Sequence, residues 1–393
     1  MLDVVYHVSF LTEEARQLAA VVAYVDPQLS QESGRIRNLW QPTIPFRAPL
    51  PFTVGEVLRL APAIDPTQCL IAVCPGNLPG NAIDRRFLAI WGILYHGSKY
   101  WRLLAGRESA ALSPPNCLTI STFAPGSITA STLGIILFRL RAGELLGLPL
   151  EELSDGHMGD FLKEAADALY HEVCQRLKRK RYDPRSDSDD HPRQQYFRTL
   201  TNIAKLTRNR RHGGTFVVIP DEIGPDDQRL TDRLTVKYPL TIPDVWEHLV
   251  HESIATWYYF HRKGHSRAEG RERREGAQEK IADFEQLVAS LSGVDGAVVL
   301  TKRLKVLGFG AEITATSPSL RFVRVAEDPE GKKFSEKPIE SFGTRHRSAL
   351  RLCSSFEQSM CLVVSQDGAV RAIKRVGPHL YMWNDVSLGR FGL

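Results

Sequence analysis

The apolar run at residues 215–220 (TFVVIP) constrains the fold of this chain more than any other feature. A helical stretch that ends in paired glycines, Gly213 and Gly214, comes directly before it. A strand with one face in water alternates apolar and polar residues, whereas a strand covered on both faces is apolar throughout. The run therefore predicts a central strand of an α/β sheet with helices packed on both of its faces.

The rest of the C-terminal half supplies further strands and helices of the same kind. Buried strands are expected within residues 296–300 (GAVVL) and 361–365 (CLVVS), and an edge strand around Leu234 to Tyr238. The predicted helices cover Ile242 to His261 and Lys280 to Leu291. Between them, residues 261–280 contain almost no large apolar side chains, so they predict a mobile loop or an exposed helix start.

Residues 1–150 are predicted to form a separate α/β domain. We expect a short strand in VVYHVSF (4–10), a helix from Thr12 to Val25 that ends at Asp26-Pro27, and an extended proline-rich connector at residues 40–52. A short helix follows Thr53, and strands dominate from Cys69 onward, with a hairpin around Gly97-Ser98. Four aromatic residues of this domain either line a ligand pocket or pack in its core: Trp91, Tyr95, Tyr100 and Trp101.

Residues 151–195 are expected to form a helix and then a charged, proline-containing linker. The helix ends in a basic run at residues 176–181 (RLKRKR), and a second run, RNRR, occupies residues 208–211. The net charge of +5 comes partly from these runs, which are compatible with nucleotide or nucleic-acid binding but require neither. Basic residues also complement the negative end of a helix dipole, so we expect no nucleic-acid partner.

Cysteine usage and hydropathy favour a cytoplasmic protein. The six cysteines show no Cys-x-x-Cys pair or metal-ligand spacing, and several lie in apolar runs, which predicts reduced thiols. No signal peptide is evident at the N-terminus, and no apolar run approaches the length of about 18 residues that spans a membrane. We therefore expect no membrane partner.

The heptapeptide Gly343 to Ala349 (GTRHRSA) is a glycine turn that opens directly into a helix. A helix N-terminus presents unpaired N–H groups and a partial positive charge, and Thr344 is expected to be its N-cap. Arg345, His346 and Arg347 add charge of the sign that this dipole disfavours, unless an anion lies between them. Either the segment is a polyphosphate site or it is a surface helix with solvated arginines.

A second candidate site lies where residues 293–300 turn into a buried strand. Asp295 stands at the start of that strand, followed by Gly296 and Ala297, so a carboxylate that can hold a divalent cation sits beside backbone that a nucleotide can approach. Asp-Gly is also a common turn dipeptide, which remains the alternative. Farther along, a strand carries the closely spaced glycines of GFGAEI, and Ser365 ends the strand CLVVS.

Together these segments, D-G-A, G-F-G-A-E-I, G-T-R-H-R-S-A and V-V-S-Q, occur in an order that resembles the diadenylate cyclase domain of the DNA-integrity-scanning and cyclic di-AMP synthase family. The resemblance covers residues 196–377, a little under half of the chain. It implies that residues 196–393 form the catalytic domain, with a central mixed β-sheet flanked by helices. Residues 1–150 then occupy the position of a sensor domain that binds an unknown small molecule.

The resemblance also implies a role for each matching residue. Asp295 would hold Mg²⁺ or Mn²⁺ and help activate an ATP 3′-hydroxyl, with Gly296 and Ala297 against the nucleotide. Arg345, His346 and Arg347 would neutralise the triphosphate, and the remaining phosphate or ribose contacts would come from Gly343, Thr344, Ser348 and Ser365. Two subunits would meet face to face, each 3′-hydroxyl would attack the opposite α-phosphate, and two pyrophosphates would leave.

The chain departs from the family pattern at several points. The spacing between Ala297 and Gly343 is longer than in compact members, with residues 327–338 (EDPEGKKFSEKP) expected as an inserted loop near the site. After Ser365 the chain continues Gln-Asp-Gly, where many members carry acidic or basic residues. These departures keep open an alternative function, a catalytically degenerate module that binds a nucleotide without turning it over.

Overall fold

The computed structural model of the chain divides into two compact units, one within Met1–Pro149 and the other within Leu150–Leu388. Both units combine helices with a large β-sheet, which confirms the predicted α/β class. The structure describes residues 1–13, 16–25, 27, 43–66, 69–76, 87–95, 117–132, 135–141, 143–146, 153–178, 190–210, 212–242, 244–261, 265–366, 368–384 and 386.

The N-terminal unit is built on an eight-stranded sheet with the order β10-β9-β8-β7-β3-β5-β6-β4, in which only the β3–β5 pair is parallel among the described pairings. Its helices are α1 (Leu2–Val8) and α2 (Val54–Leu60), and a separate small hairpin joins β1 (Thr12–Glu13) to β2 (Arg16–Gln17). The sheet strands are β3 (Ala20–Tyr24), β4 (Thr43–Pro51), β5 (Cys69–Pro75), β6 (Leu88–Tyr95), β7 (Thr119–Ala124), β8 (Ser127–Thr132), β9 (Ile135–Arg141) and β10 (Glu144–Leu146).

Two local predictions near the N-terminus are wrong. The segment VVYHVSF, expected as a strand, belongs mostly to α1, and the helix expected from Thr12 to Val25 is replaced by β1, β2 and β3. Strand β3 lies between β5 and β7, and four of its five residues are buried. Its partners are distant in sequence, so the pairing that makes this segment a strand cannot be predicted from residues 12–25 alone.

The proline-rich segment is extended, as predicted, but it forms β4 and not a connector. Strand β4 is the last strand of the sheet and pairs only with β6 among the described strands, with an irregular register between Pro45 and Leu50. Prolines are tolerated at such an edge because no ladder bond is needed on the open side. The predicted helix after Thr53 is confirmed as α2, and the Thr53 hydroxyl accepts a hydrogen bond from the Glu56 N–H.

Of the four aromatic residues considered for a ligand pocket, Trp91 belongs to the core. Its side chain is 7% exposed, and its indole N–H donates to the Val25 carbonyl at 2.9 Å. Tyr100, Trp101 and the predicted hairpin turn at Gly97-Ser98 lie outside the described residues.

The C-terminal unit contains a ten-stranded mixed sheet, as the resemblance implied, with the order β12-β15-β14-β11-β18-β19-β20-β16-β17 and with β13 also paired to β15. The β11–β14 and β16–β20 pairs are parallel. The strands are β11 (Gly214–Ile219), β12 (Leu234–Thr235), β13 (Tyr238–Pro239), β14 (Ala297–Thr301), β15 (Val306–Ile313), β16 (Phe322–Ala326), β17 (Phe334–Pro338), β18 (Met360–Val364), β19 (Val370–Val376) and β20 (His379–Trp383).

Helices cover both faces of this sheet, as the apolar run at residues 215–220 predicted. Phe216 and Val218 of β11 pack against the large helices on one face, whereas Val217 and Ile219 pack on the other face with the helix that follows Gly343. No helix among the described residues is both long and apolar enough to cross a membrane. The helices are α3 (Gly156–Arg176), α4 (His191–Asn209), α5 (Gln228–Thr231), α6 (Val245–His261), α7 (His265–Leu291) and α8 (Thr344–Ser355).

Several elements of this unit differ from the sequence-based expectation. The helix predicted within residues 151–181 is confirmed as α3, and it contributes Leu162, Leu169 and other residues to the C-terminal core. Most of the linker predicted after it lies outside the described residues, and α4 starts at His191, within that predicted linker. Helix α7 runs unbroken through most of the charged stretch, so of its two interpretations the exposed helix start is confirmed and the mobile loop is wrong. The expected insertion at residues 327–338 is largely a hairpin, because residues 334–338 form β17.

Candidate functional site

Four of the sequence-predicted segments meet at one end of the C-terminal sheet. Strand β14 begins beside the start of β11 (Ala297 opposite Thr215), and antiparallel β18 ends there as well (Val364 opposite Gly214). Strand β19 starts opposite the end of β18, with Val370 facing Val364. Strand order and register thus bring Asp295, Ser365 and the glycines before β11 to the same end of the sheet.

Asp295 and Gly296 form the last two residues of the turn into β14. Asp295 is exposed, and its carboxylate makes no hydrogen bond or ion pair with any residue that the structure describes. Gly296 has φ +117°, and a Cβ atom there would lie 2.5 Å from the Gly310 carbonyl carbon of β15. The close approach of the two backbones requires glycine at position 296, and it holds the Asp295 turn against β15.

The N-terminus of α8 lies at this site. Gly343 is the N-cap residue, with an extended backbone, and Thr344 is the first helical residue, so the prediction of Thr344 as N-cap is wrong. No side chain caps the helix, and its first turn contains no acidic residue. The first intrahelical bond runs from the Arg347 N–H to the Gly343 carbonyl at 3.0 Å. The N–H groups of the residues before Arg347 therefore have no acceptor within the helix. Such groups at a helix N-terminus can bind an anion.

Three side chains form a connected cluster between α8, β18 and β19. The Arg371 guanidinium donates to the Ser365 hydroxyl and to the His346 Nε2, both at 2.9 Å, and Ser365 Oγ lies 3.4 Å from the same nitrogen. Because a guanidinium only donates, Nε2 of His346 is an acceptor in this arrangement. Asn384 accepts a further bond from Arg371 Nε at 3.1 Å, which fixes the plane of the guanidinium.

Arg345 ties the same helix to the start of β11. Its Nη1 donates to the carbonyl of His212 at 2.9 Å. A Cβ atom on Gly213, whose φ is +70°, would lie 2.8 Å from that Nη1 and 2.7 Å from the Val364 carbonyl oxygen. The missing side chain at Gly213 therefore makes room for the arginine, whereas the missing side chain at Gly214 makes room for Ser292.

Two arginines at this site have no carboxylate partner in the part of the chain that the structure describes. Neither Arg345 nor Arg347 forms an ion pair with a described residue, and the hydroxyls of Thr344 and Ser348 make no hydrogen bond within the same part of the chain. Positive side chains at a helix N-terminus repel its dipole. Such a cluster is stabilised by a bound polyanion, so the structure favours the anion site over a surface helix with solvated arginines.

Arg371, Asn384 and His212 belong to the site but were not predicted from the sequence. Arg371 lies in β19, and in the sequence it cannot be distinguished from any other polar residue of a strand that alternates polar and apolar positions. Only the pairing of β18 with β19 brings it close to His346. The paired glycines before β11 were the available sign for His212, since glycines at a strand start permit close approach of another group.

Residues 1–95 match the family described as "Probable sensor domain DACNV". This match confirms the prediction of a sensor-type domain at the N-terminus. Among solved structures, the chain is similar to a double cysteine mutant of DacA from Staphylococcus aureus, with 15% sequence identity and a TM-score of 0.25. That similarity covers 50% of this chain and 89% of the DacA chain. No curated protein matches the chain.

Proposed function

We propose that the C-terminal unit is a diadenylate cyclase, which condenses two ATP into cyclic di-AMP and two pyrophosphates. The observation that carries this proposal is the convergence of α8, Ser365, Arg371 and Asp295 at one end of the sheet. The order of the D-G-A and G-T-R-H-R motifs supports it, and so does the sensor-type domain at residues 1–95.

In the proposed reaction, Arg345 and Arg347 neutralise the triphosphate of ATP, and the free N–H groups at the start of α8 bind its oxygens. Arg371 holds Ser365 and His346 in fixed positions, so that both face the phosphates. The 3′-hydroxyl oxygen of one ATP forms a bond to the α-phosphorus of the other, and the bond from that phosphorus to the bridging oxygen breaks. Pyrophosphate leaves, and the hydroxyl proton is released.

Asp295 is the proposed metal ligand of the chain. An exposed carboxylate without a partner among the described residues, next to a glycine that leaves the backbone open, suits Mg²⁺ or Mn²⁺. The bound cation would neutralise charge on the phosphate oxygens. Asp295 would also accept the proton of the attacking 3′-hydroxyl.

A homodimer is part of this proposal, because each ring closure needs two ATP molecules in opposed orientations. One copy of the unit presents one cationic helix N-terminus and one Asp295, which is enough to bind one of the two ATP molecules. Two copies that face each other would place each 3′-hydroxyl in line with the opposite α-phosphate. The N-terminal unit would bind a small molecule and regulate this pairing.

Incubation of the full chain with ATP and Mn²⁺, followed by chromatography, tests the proposal. We expect cyclic di-AMP and pyrophosphate, and Asp295→Asn should yield neither.

A second candidate, a nucleotide-binding module without turnover, is favoured by one observation: the exposed Gln366 follows Ser365 where a charged residue would assist catalysis. That module would show thermal stabilisation by ATP with no release of pyrophosphate.

A further inference from the structure

Two arginines hold the C-terminus of α8, the helix whose other end carries Arg345 to Ser348. The last carbonyl groups of a helix have no partner within it. The Ser354 carbonyl accepts a hydrogen bond from Arg375 Nη1 at 2.8 Å. The Ser355 carbonyl accepts one from Arg233 Nε at 3.2 Å. Because a cation at this end also complements the negative end of the helix dipole, both guanidinium groups stabilise the helix in its place.

The two arginines differ in the element to which they tie the helix. Arg375 belongs to β19, and its Nε donates to the carbonyl of Gly377, just after that strand, at 3.0 Å. Arg233 precedes β12, and its own carbonyl accepts from the N–H groups of Thr314 and Ala315, both at 2.9 Å. Those two residues come directly after β15. Arg375 thus connects α8 to β19, whereas Arg233 connects it to β15.

Further contacts fix the Arg233 side chain. Its Nη1 donates to the carbonyl of Arg229, a residue of α5, at 2.7 Å. Its guanidinium carbon lies 5.4 Å from the centre of the ring of Phe356, the residue that follows α8. Arginine binds aromatic faces in this way, and this ring is buried. The guanidinium therefore has one defined position between α5 and the end of α8.

Strand β15 is also the strand that holds the Asp295 turn, through the close approach of Gly296 to Gly310. Arg233 is thus a link from the strand beside this carboxylate to the helix that carries the candidate phosphate ligands. We propose that Arg233 is a positioning residue that sets the place of α8 relative to the Asp295 turn. This inference rests on the proposed function, since a bound ATP has to reach both the carboxylate and the N-terminus of α8.

Loss of this link is expected to lower turnover and not affinity. Phosphates can bind the N-terminus of α8 wherever the helix lies, whereas their transfer requires them to be aligned with the carboxylate. A misplacement of about 1 Å can lower a rate by about 100-fold. Because Arg375 still holds the helix, Arg233→Ala should lower kcat by about 10-fold and change the KM for ATP by about 2-fold at most. Arg233→Lys should recover part of kcat, since an ammonium group keeps the charge and can reach the Ser355 carbonyl.

Hydrogen exchange of the full chain with a non-hydrolysable ATP analogue tests the positioning without turnover. In the wild type, we expect the analogue to protect the amides of residues 293–297 and of residues 344–348, because it contacts both segments. In Arg233→Ala, protection should persist at residues 344–348 and be lost at residues 293–297, with partial recovery in Arg233→Lys. The control is Arg351→Ala, which removes an exposed arginine of α8 that makes no hydrogen bond or ion pair with the described residues. It should match the wild type in exchange and in kcat.

The outcomes separate this inference from the proposed function. Protection of both segments in Arg233→Ala, as in the wild type, would overturn the inference and leave the proposed cyclase intact. Loss of protection at both segments would also overturn it, because Arg233 would then support nucleotide binding as a whole. If the analogue protects only one segment of the wild type, no nucleotide bridges them and the inference fails; if it protects neither, the proposed function fails as well. Should Arg233→Ala not fold, wild-type protection in Arg233→Lys would contradict the inference.

Discussion

Arg371 determines how two of the candidate phosphate ligands are held. It donates to Ser365 and His346 at the same distance, and Asn384 fixes its orientation from the opposite side. Both of these bonds come from Nη1, whereas the bond to Asn384 comes from Nε. A lysine has a single nitrogen, so it could replace the bonds from Nη1 but could not bind Asn384 at the same time. Arg371 thus positions Ser365 and His346 in addition to contributing a positive charge.

We predict that Arg371→Ala lowers the rate of cyclic di-AMP formation by about 100-fold, the usual effect of removing one preorganised donor. Arg371→Lys should recover only part of that loss. Rates measured at saturating ATP, with circular dichroism to confirm folding, test this prediction. Equal rates for Arg371→Ala and the wild type would show that Ser365 and His346 do not depend on it.

Gly296 and Gly343 are two glycines of the same site that differ in whether a side chain could replace them. Gly296 has φ +117° and no room for a Cβ atom beside Gly310, whereas Gly343 has φ −64° and no heavy atom within 4 Å of a Cβ position. Gly296→Ala should lower the free energy of unfolding by about 1–3 kcal/mol. Gly343→Ala should lower it by less, about 0.5–1 kcal/mol, because alanine is a poorer N-cap than glycine but meets no steric clash there. Urea unfolding of both variants measures the difference, and an equal loss would contradict the placement of the Asp295 turn.

Local sequence patterns could identify the candidate site only in part. Gly343 to Ser348, Asp295 and Ser365 are each adjacent to a strand or helix boundary that the sequence shows directly. His212 and Arg371 are not, since their function arises from the alignment of β11, β18 and β19, which depends on pairing between segments far apart in the chain. Their chemistry becomes apparent only after the strand order is known.

Among the helices, the long α7 shows why the sequence left a charged stretch open between a mobile loop and an exposed helix start. Residues 265–280 contain few apolar side chains but four glutamates and four arginines, which favour helix. The segment is held by packing against α6, where Gly270 lets the two helices approach: a Cβ atom there would lie 3.2 Å from Tyr258 Cβ and from the Tyr259 nitrogen. Apolar periodicity underestimates a helix that uses glycine and salt bridges at its interface.

A buried ionic cluster joins α4, α6 and α7. Glu252 is fully buried, and it accepts hydrogen bonds from Thr256 and Gln278, both at 3.0 Å. His191 Nε2 lies 2.7 Å and Arg274 Nε 3.7 Å from its carboxylate oxygens. Burial raises the pKa of a carboxyl, but the positive charges and hydrogen bonds around Glu252 outweigh burial and lower its pKa to about 2. The cluster therefore binds the charged form of Glu252.

We predict that this cluster makes folding sensitive to acid. A carboxyl whose pKa is lower in the folded state stabilises the fold above its unfolded pKa, near 4.5, and loses that contribution as the pH falls from there toward 2. Glu252→Ala should lower the free energy of unfolding by about 3 kcal/mol at pH 7, because Arg274 is left buried without its partner. Urea unfolding at several pH values measures both effects.

The control for that experiment is Glu279→Ala, an exposed glutamate of the same helix α7 whose side chain contacts no partner among the described residues. Its free energy of unfolding should change by less than about 0.5 kcal/mol. If Glu252→Ala loses no more stability than Glu279→Ala, or keeps the acid sensitivity of the wild type, the charged cluster does not stabilise the folded unit.

For the chain as a whole, the α/β class and the division between a sensor-type domain and a C-terminal unit could be predicted from sequence, because buried strands and turns recur along its length. The strand order could not be predicted from sequence for either sheet. In the N-terminal unit, β3 pairs with β5 and β7, and in the C-terminal unit β16 pairs in parallel with β20. Long-range pairings of this kind are fixed by the whole core and not by any one segment.

The most direct test of the account measures cyclic di-AMP formed from ATP and Mn²⁺ over a hundredfold range of protein concentration. A cyclase that works only as a face-to-face dimer should show a rate per mole of protein that rises with concentration and then reaches a plateau. Asp295→Asn should give no product at any concentration while unfolding at the same temperature as the wild type, since its exposed carboxylate stabilises nothing among the described residues. The absence of cyclic di-AMP from the wild type at every concentration would contradict the account.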